Sequence, residues 1–197
     1  MPHPTRKYDR SLNSEVERLL YQCEVVEMDA KGLVAPLSET QIDWTPEPNR
    51  WSVGQCIEHL NLTSRKSLPL FEEAIERGRK DGITGDGPYA YGFLSRMFLR
   101  MVEPPAKLKV RAPKPFQPGP EYAAGKVLEV FLADQQRTAA LLRAANGLDL
   151  ARIKVPSAFS NLVKYPLGMG FWILFAHERR HIRQARELCR HPEFPRK

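Results

Sequence analysis

The stretch Phe171-Trp-Ile-Leu-Phe-Ala-His177-Glu178-Arg179-Arg180-His181-Ile182-Arg183-Gln184 decides how the rest of the chain is interpreted. It contains two histidines four residues apart, and in an α-helix residues at that spacing lie one turn apart on the same face. Two imidazoles in that arrangement are close enough to hold one metal ion. The stretch therefore predicts a helix that carries part of a metal site.

The two histidines also belong to a longer helical pattern, which predicts a last helix starting near residues 166–170. Its buried seam recurs in alternating steps of three and four: Leu167, Gly170, Leu174, His177, His181, Gln184 and Leu188. A buried imidazole without a partner costs roughly 1–3 kcal/mol, which a metal would offset. Gln184, one turn after His181, is a candidate to orient that ring. Four arginines are expected on the solvent side: Arg179, Arg183, Arg186 and Arg190.

Three further segments show helical periodicity. We expect a first helix over residues 11–38, in which Ser14 with Glu17 forms a capping box or Ser11 or Asn13 caps instead. A proline-rich loop over residues 41–50 follows. The second helix is expected from Ser52 to about residue 80, with a kink or break at Pro69. The third is expected over residues 121–145, ending at Asn146-Gly147.

The connections between these helices differ in length. Residues 81–120 are rich in glycine and proline, so we expect a long crossover that returns over the outside of a bundle or covers a site, with a short helix only at residues 89–101. Residues 149–165 form a second loop, in which residues 153–157 are extended without an evident partner strand. The pattern predicts one domain over residues 1–197, an all-α four-helix bundle with a long crossover between helices two and three.

Composition places the chain among ordinary globular proteins, with 42% hydrophobic and 27% charged residues. No stretch reaches the roughly 18 apolar residues of a membrane span, and the first residues lack the apolar core of a signal peptide, so we expect a cytoplasmic protein without a membrane partner. Three cysteines lie far apart in the sequence, which favours neither a disulfide framework nor a Cys-x-x-Cys metal site: Cys23, Cys56 and Cys189.

A net charge of +7 raises the question of nucleic-acid binding. The densest basic groups lie on the last helix and at residues 107–114, and neither group is interleaved with aromatic residues that stack on bases. A solvated helix face is the simpler interpretation. Nucleic-acid binding is therefore the weaker alternative.

The string His177-Glu178-Arg179-Arg180-His181 also matches the H-E-x-x-H pattern of zincin metalloproteases, in which the glutamate is the general base. The third ligand of the extended pattern is missing, because Glu187 stands at its position and Gln184 replaces the expected glycine. The chain also shows none of the strands of a protease domain. Glu178 is thus a weak candidate for a catalytic base, and we expect it to face solvent.

A third ligand is available upstream, in the stretch Trp51-Ser-Val-Gly-Gln55-Cys-Ile-Glu-His59-Leu. This stretch, together with Tyr165-Pro166-Leu-Gly168 and His177-x-x-Arg180-His181-x-x-Gln184, resembles the DinB/YfiT-like superfamily of bacterial four-helix-bundle proteins. The order and spacing of the three motifs agree with that family over nearly the whole chain. Tyr165 departs from the pattern, since many relatives have a histidine before the proline.

In that family a histidine of the second helix joins a pair on the last helix to bind one divalent metal. The resemblance therefore implies the metal ligands His59, His177 and His181. It also implies an up-down-down-up bundle, a frequent homodimer, and a site for zinc, nickel or iron that is completed by water. Characterised members include thiol-S-transferases that use bacillithiol or mycothiol and a mycothiol-dependent isomerase.

A three-histidine metal with open positions lowers the pKa of a bound water or thiol. The leading hypothesis is therefore a metal-dependent hydrolase or thiol-S-transferase that acts on a small molecule with water or a low-molecular-weight thiol. The alternative is a non-catalytic metal-binding or stress-response module. Cys56 is either a fourth ligand or a small buried residue, and we expect the second. Trp51 either covers the site or anchors the core.

Overall fold

The computed structural model describes residues 12–105, 112–119 and 122–196. Ser11 and the basic residues 107–111 lie outside these ranges. Six α-helices occur in the described part: α1 Ser14–Val34, α2 Glu39–Asp43, α3 Val53–Lys80, α4 Phe93–Val102, α5 Val127–Ala144 and α6 Leu167–Cys189. Two 3₁₀ turns, Lys114–Phe116 and Ala124–Lys126, and two strands, β1 Lys154–Ser157 and β2 Ser160–Pro166, complete the described elements.

The long helices α1 and α6 run in the same direction. The Trp172 indole donates a hydrogen bond to Glu15 at 2.8 Å, which joins the N-terminal parts of the two helices. Two turns further along both helices, Arg179 donates to Gln22 at 2.7 Å. The two helices are therefore parallel neighbours.

The helices α3 and α5 form the second parallel pair. The side-chain amide of Asn61 donates to the carbonyl of Val127 at 3.1 Å, near the start of both helices. Further along, Arg137 pairs with Glu72 at 2.6 Å. This pair is exposed, so it reports the direction of the helices more than it stabilises the fold.

The two parallel pairs run in opposite directions. The backbone N–H of Asn13, which precedes α1, donates to the side chain of Asn146, which follows α5, at 2.9 Å. Because α1 and α3 each pack against both α5 and α6, they occupy opposite corners of the bundle. The predicted all-α, up-down-down-up four-helix bundle is confirmed.

The helix starts follow local capping chemistry. Asn13 caps α1 by accepting from the Glu15 N–H at 2.8 Å, so the alternative cap is right and the Ser14 box is not used. Ser52 caps α3 as predicted: its hydroxyl accepts from the Gln55 N–H, and its own N–H donates to the Gln55 side chain. The helix α3 continues to Lys80 through Pro69, so of the predicted kink or break the break is wrong and the kink stays a prediction. Packing of the buried flanking residues outweighs one lost hydrogen bond.

Two segments expected as loops contain regular structure. The capping box between Ser38 and Gln41 starts the short helix α2 inside the proline-rich region, and α1 ends at Val34, ahead of Pro36. The second loop contains the antiparallel hairpin β1–β2, in which Val155 faces Tyr165. The sequence did not reveal the partner strand, because β2 exposes Leu162 and Val163 and so lacks the alternation of a half-buried strand.

The core fills the space between the four long helices, with phenylalanines as its largest side chains: Phe71, Phe131, Phe171 and Phe175. The crossover contains α4, which rests on α6 and buries none of its residues. The predicted solvent position of Arg179 is only partly right, because its guanidinium pairs with Glu103, after α4, at 2.6 Å. Within the described ranges, no helix combines the length and the apolarity that crossing a membrane requires.

Candidate metal centre

The bundle brings together the three histidines on which the metal prediction rests. His59 lies in α3, and His177 and His181 lie one turn apart in α6. One ring nitrogen from each histidine lies within 4.8 Å of the other two, and the distance between Nε2 of His59 and Nε2 of His177 is 3.2 Å. Their proximity follows from the antiparallel contact of α3 and α6, which no local pattern specifies.

Two of the rings are held by hydrogen bonds on the side away from the cluster. Nδ1 of His59 lies 2.6 Å from the carbonyl oxygen of Phe116. A carbonyl oxygen only accepts, so the proton is on Nδ1 and the lone pair of Nε2 faces the other histidines. Nδ1 of His181 donates in the same way to Gln184 at 3.1 Å, which is the orienting contact predicted for Gln184. Metal-binding histidines typically have such partners.

The remaining ring has unsatisfied hydrogen-bonding capacity. Nδ1 of His177 is buried and has no hydrogen-bond partner in the described part of the chain. Its Nε2 faces that of His59, and two lone pairs at 3.2 Å repel unless a proton or a cation lies between them. Tetrahedral nitrogen ligands about 2.0–2.1 Å from one zinc ion lie roughly 3.3 Å apart. The donor set and this spacing therefore fit a divalent cation.

The electrostatic environment keeps the three imidazoles neutral. Burial lowers the pKa of His59, and the bond to Phe116 opposes that shift only in part. Burial, together with electrostatic repulsion from the neighbouring His59 ring and the Arg180 guanidinium, lowers the pKa of His181 to about 3. Burial and the two neighbouring histidines hold the pKa of His177 well below its usual range. Neutral imidazoles keep the lone pairs that a metal requires.

Aromatic side chains close the site on two sides. The ring centroid of Trp51 lies 4.9 Å from that of His59 and 5.9 Å from that of His181, so Trp51 covers the cluster. Phe159 lies in the turn that joins β1 to β2. Its ring centroid is 5.8 Å from that of His177 and 4.3 Å from that of Phe116, on which it stacks. The crossover and the hairpin thus meet over the histidines. Sequence patterns did not point to Phe116 or Phe159, because both lie in segments without periodicity.

A cavity of about 120 Å³ opens beside His177. The polar residues that line the cavity are His177 and four residues with hydroxyl groups: Thr63, Ser67, Ser157 and Tyr165. The other lining residues are apolar: Phe71, Phe98, Val102, Phe159, Gly170, Ile173 and Leu174. The cavity therefore suits a ligand that presents an apolar part and one or more hydrogen-bonding groups.

Cys56 lies in the core, with 0% of its surface exposed. Burial raises the pKa of its thiol above the usual range, which keeps it protonated and a poor metal ligand. The metal-ligating group found among the described residues contains the three histidines and not Cys56. The prediction of a small buried residue is confirmed.

Glu178 does not face solvent, and that prediction is wrong. It is 0% exposed and accepts a hydrogen bond from Gln135 of α5 at 2.8 Å. The reason is that Glu178 points into the core, where it meets Gln135 of α5, which in turn contacts Cys23 of α1. Burial raises the pKa of Glu178 to about 8, although the bond from Gln135 opposes the shift. Its carboxylate contacts the core, so it does not occupy the general-base position that the zincin interpretation requires.

Comparison with known proteins agrees with this geometry. A family model described as the DinB superfamily matches residues 22–185, which include all three histidines. Comparisons with curated proteins and with solved structures each returned no match. The match spans most of the 197 residues. The chain therefore belongs to the DinB superfamily.

Proposed function

We propose that this protein is a metal-dependent enzyme in which His59, His177 and His181 hold one divalent cation. The observation that supports this best is three neutral imidazoles, with ring nitrogens within 4.8 Å of one another, beside a cavity. Zinc, nickel or iron in such a site, when bound, supplies Lewis acidity and lowers the pKa of a water or thiol. The proposed reactions are hydrolysis or thiol transfer on a small molecule.

Two features favour a catalytic over a structural role for the metal. Structural zinc sites are closed by four protein ligands, whereas catalytic sites have three and an open position. In the described part of the chain the group contains three ligating side chains. The cavity beside His177 provides space for a substrate next to that group.

The cavity lining supports thiol transfer over hydrolysis. No carboxylate is among the described residues that line it, and Glu178 is turned into the core. A nucleophilic water usually requires a nearby base, whereas a free thiol with a pKa of about 8.5 is already close to ionisation at neutral pH. We therefore rank a low-molecular-weight thiol above water as the nucleophile.

The other residues of the cavity have binding roles in this proposal. Tyr165 and Ser157 line the cavity and present hydroxyl groups to the substrate. Burial raises the pKa of the Tyr165 hydroxyl, so it stays protonated and donates. Phe71 and Leu174 exclude water and contact the apolar part of the substrate.

Elemental analysis of protein purified without a histidine tag tests the metal. We expect about one divalent metal per chain, and its loss in the double variant His59→Ala/His177→Ala. His191→Ala, outside the cluster, is the matched control and should retain the metal. Stoichiometric metal in the double variant would contradict the ligand assignment.

Cobalt substitution tests the thiol. Titration of the cobalt-loaded protein with low-molecular-weight thiols should produce a sulfur-to-cobalt charge-transfer band that saturates. Metal without any thiol binding or turnover would instead support the non-catalytic metal-binding or stress-response module.

Three further expectations from the sequence stay predictions: the homodimer, the cytoplasmic location and the weaker nucleic-acid alternative.

A further inference from the structure

A second concave site lies where the end of α3 meets the hairpin. Its cavity has a volume of about 520 Å³, within the range of roughly 300–1,000 Å³ that small-molecule sites occupy. Among the residues that the structure describes, four cationic side chains line it above an apolar floor, and none of the lining residues is acidic: Arg77, Arg152, Lys154 and Lys164, with Gly78, Ile83, Ile153 and Pro156.

This cavity is separate from the histidine cluster. Arg77 and His59 both belong to α3, and they lie 18 residues apart in the sequence. At about 1.5 Å per residue, the two positions are separated by roughly 27 Å along the helix axis. The proposed metal chemistry therefore does not account for the cationic group.

Close packing between α3 and β1 builds the cavity floor. A Cβ atom at Gly78 would overlap Cδ1 of Ile153, so a larger residue there would displace that side chain. The Arg77 guanidinium donates to the carbonyl of Lys154 at 2.7 Å, and the Lys154 ammonium donates to the carbonyl of Ala151 at 3.2 Å. Two of the four cations are thus positioned by backbone groups.

The hairpin register aligns the strand residues of the cavity. Pro156 pairs with Lys164 across the two strands, and Lys154 lies two residues before Pro156 in β1. Residues two apart in a strand, and residues directly opposite, lie on the same face. Both lysines therefore lie on one face with Pro156.

The cations have no acidic counterpart. In the part of the chain that the structure describes, none of the four forms an ion pair with a carboxylate, and the Arg152 and Lys164 side chains make no hydrogen bond. The nearby Asp149 accepts from the backbone N–H groups of Ala151 and Arg152. A helix C-terminus favours cations, which accounts for Arg77 but not for the other three.

We propose that this cavity binds a phosphorylated small molecule. Its phosphate group lies among the four cations, and its apolar or planar body rests on Ile83 and Pro156. A phosphate monoester carries about −1.5 to −2 charges and three strong acceptor oxygens. The guanidinium forks of Arg77 and Arg152 match that geometry. A single carboxylate would leave most of the cations without a partner.

Calorimetric titration of the full chain with phenyl phosphate and with inorganic phosphate, at low ionic strength, tests the proposal. We expect saturable binding of phenyl phosphate, at least about threefold tighter than that of phosphate, because the ring contacts the apolar floor. Arg152→Ala/Lys164→Ala should weaken the binding by about tenfold or more. The control Lys31→Ala/Arg190→Ala removes the same charges at exposed positions near the C-terminal ends of α1 and α6, and it should weaken binding by less than about twofold.

Several outcomes would overturn the proposal. Equal weakening in both double variants would mean that only the overall charge attracts phosphate. If phenyl phosphate bound no more tightly than inorganic phosphate, the apolar floor of the cavity would not contribute to binding. Steeply salt-dependent binding of a DNA duplex, without saturable binding of phenyl phosphate, would indicate a nucleic-acid surface instead.

Two controls separate this site from the rest of the protein. Circular dichroism checks the fold of each variant, and Lys164→Ala alone, at an exposed strand position, repeats the test with one charge. Binding should be the same in metal-loaded and chelator-treated protein. Loss of phenyl phosphate binding after chelation would instead assign it to the histidine cluster.

Discussion

Gln135 of α5 donates a hydrogen bond to Glu178 of α6 at 2.8 Å inside the core. The second carboxylate oxygen of Glu178 is buried and has no partner among the described residues. The two residues thus form a polar contact between helices. It explains why a glutamate next to a proposed metal ligand does not serve the metal site.

The first prediction concerns Glu178→Gln. The folded-state pKa of Glu178 is raised from 4.5 to about 8, so its stabilising contribution is complete below the lower value and is lost as the pH rises through the higher one. At pH values above the higher pKa, the free energy of unfolding of the variant should exceed that of the original chain by on the order of 5 kcal/mol. Urea unfolding of chelator-treated protein at several pH values measures the difference. An identical pH dependence in both proteins would contradict the raised pKa.

Metal binding itself should stabilise the fold. A ligand that binds only the folded state adds about 2.7 kcal/mol at a concentration of one hundred times its dissociation constant. We expect zinc or nickel to raise the unfolding temperature, and a chelator to reverse the effect. His177→Ala should not respond, whereas His191→Ala should respond fully. An equal response of the two variants would place the metal elsewhere.

Gln184→Ala tests the orienting contact. The variant should weaken metal affinity by about 10–100-fold, because the His181 ring loses its hydrogen bond at Nδ1. At saturating metal the stoichiometry should not change, since Gln184 is not proposed as a ligand. Gln136→Ala, at an exposed position of α5, is the matched control. Competition with a chromophoric chelator measures the metal affinity of each variant. Equal affinities of Gln184→Ala and Gln136→Ala would contradict a positioning role for Gln184.

Two glycines in helices should respond to alanine in opposite directions. A Cβ atom at Gly54 would lie 2.5 Å from the hydroxyl of Tyr122, which is hydrogen-bonded to Asp43 and Ser52 and cannot move freely. Gly54→Ala should therefore destabilise the fold by about 1–3 kcal/mol. Gly32 in α1 has open space around it, so Gly32→Ala should stabilise the fold by about 0.5–1 kcal/mol. Denaturant unfolding compares the two, and changes of the same sign would contradict this packing.

The sequence alone predicted the four long helices and the two histidines on the last of them, but not α2 or the hairpin. Their periodicity reports which face of each helix is buried, and a spacing of four residues is a local property of one helix. It also indicated the roles of Ser52 and Gln184, because capping and orienting contacts form between near neighbours in the chain. The place of His59 came only from resemblance to a family.

Features that depend on more than one element are seen only in the folded chain. Packing of the helices brings His59 next to His177 and buries Glu178 away from the solvent. Packing of the loops also brings Phe116 and Phe159 over the histidine cluster, and the contact of α3 with the hairpin forms the cationic cavity. These contacts join residues far apart in the chain, so they depend on how the helices and loops pack. A pattern within one segment does not contain that information.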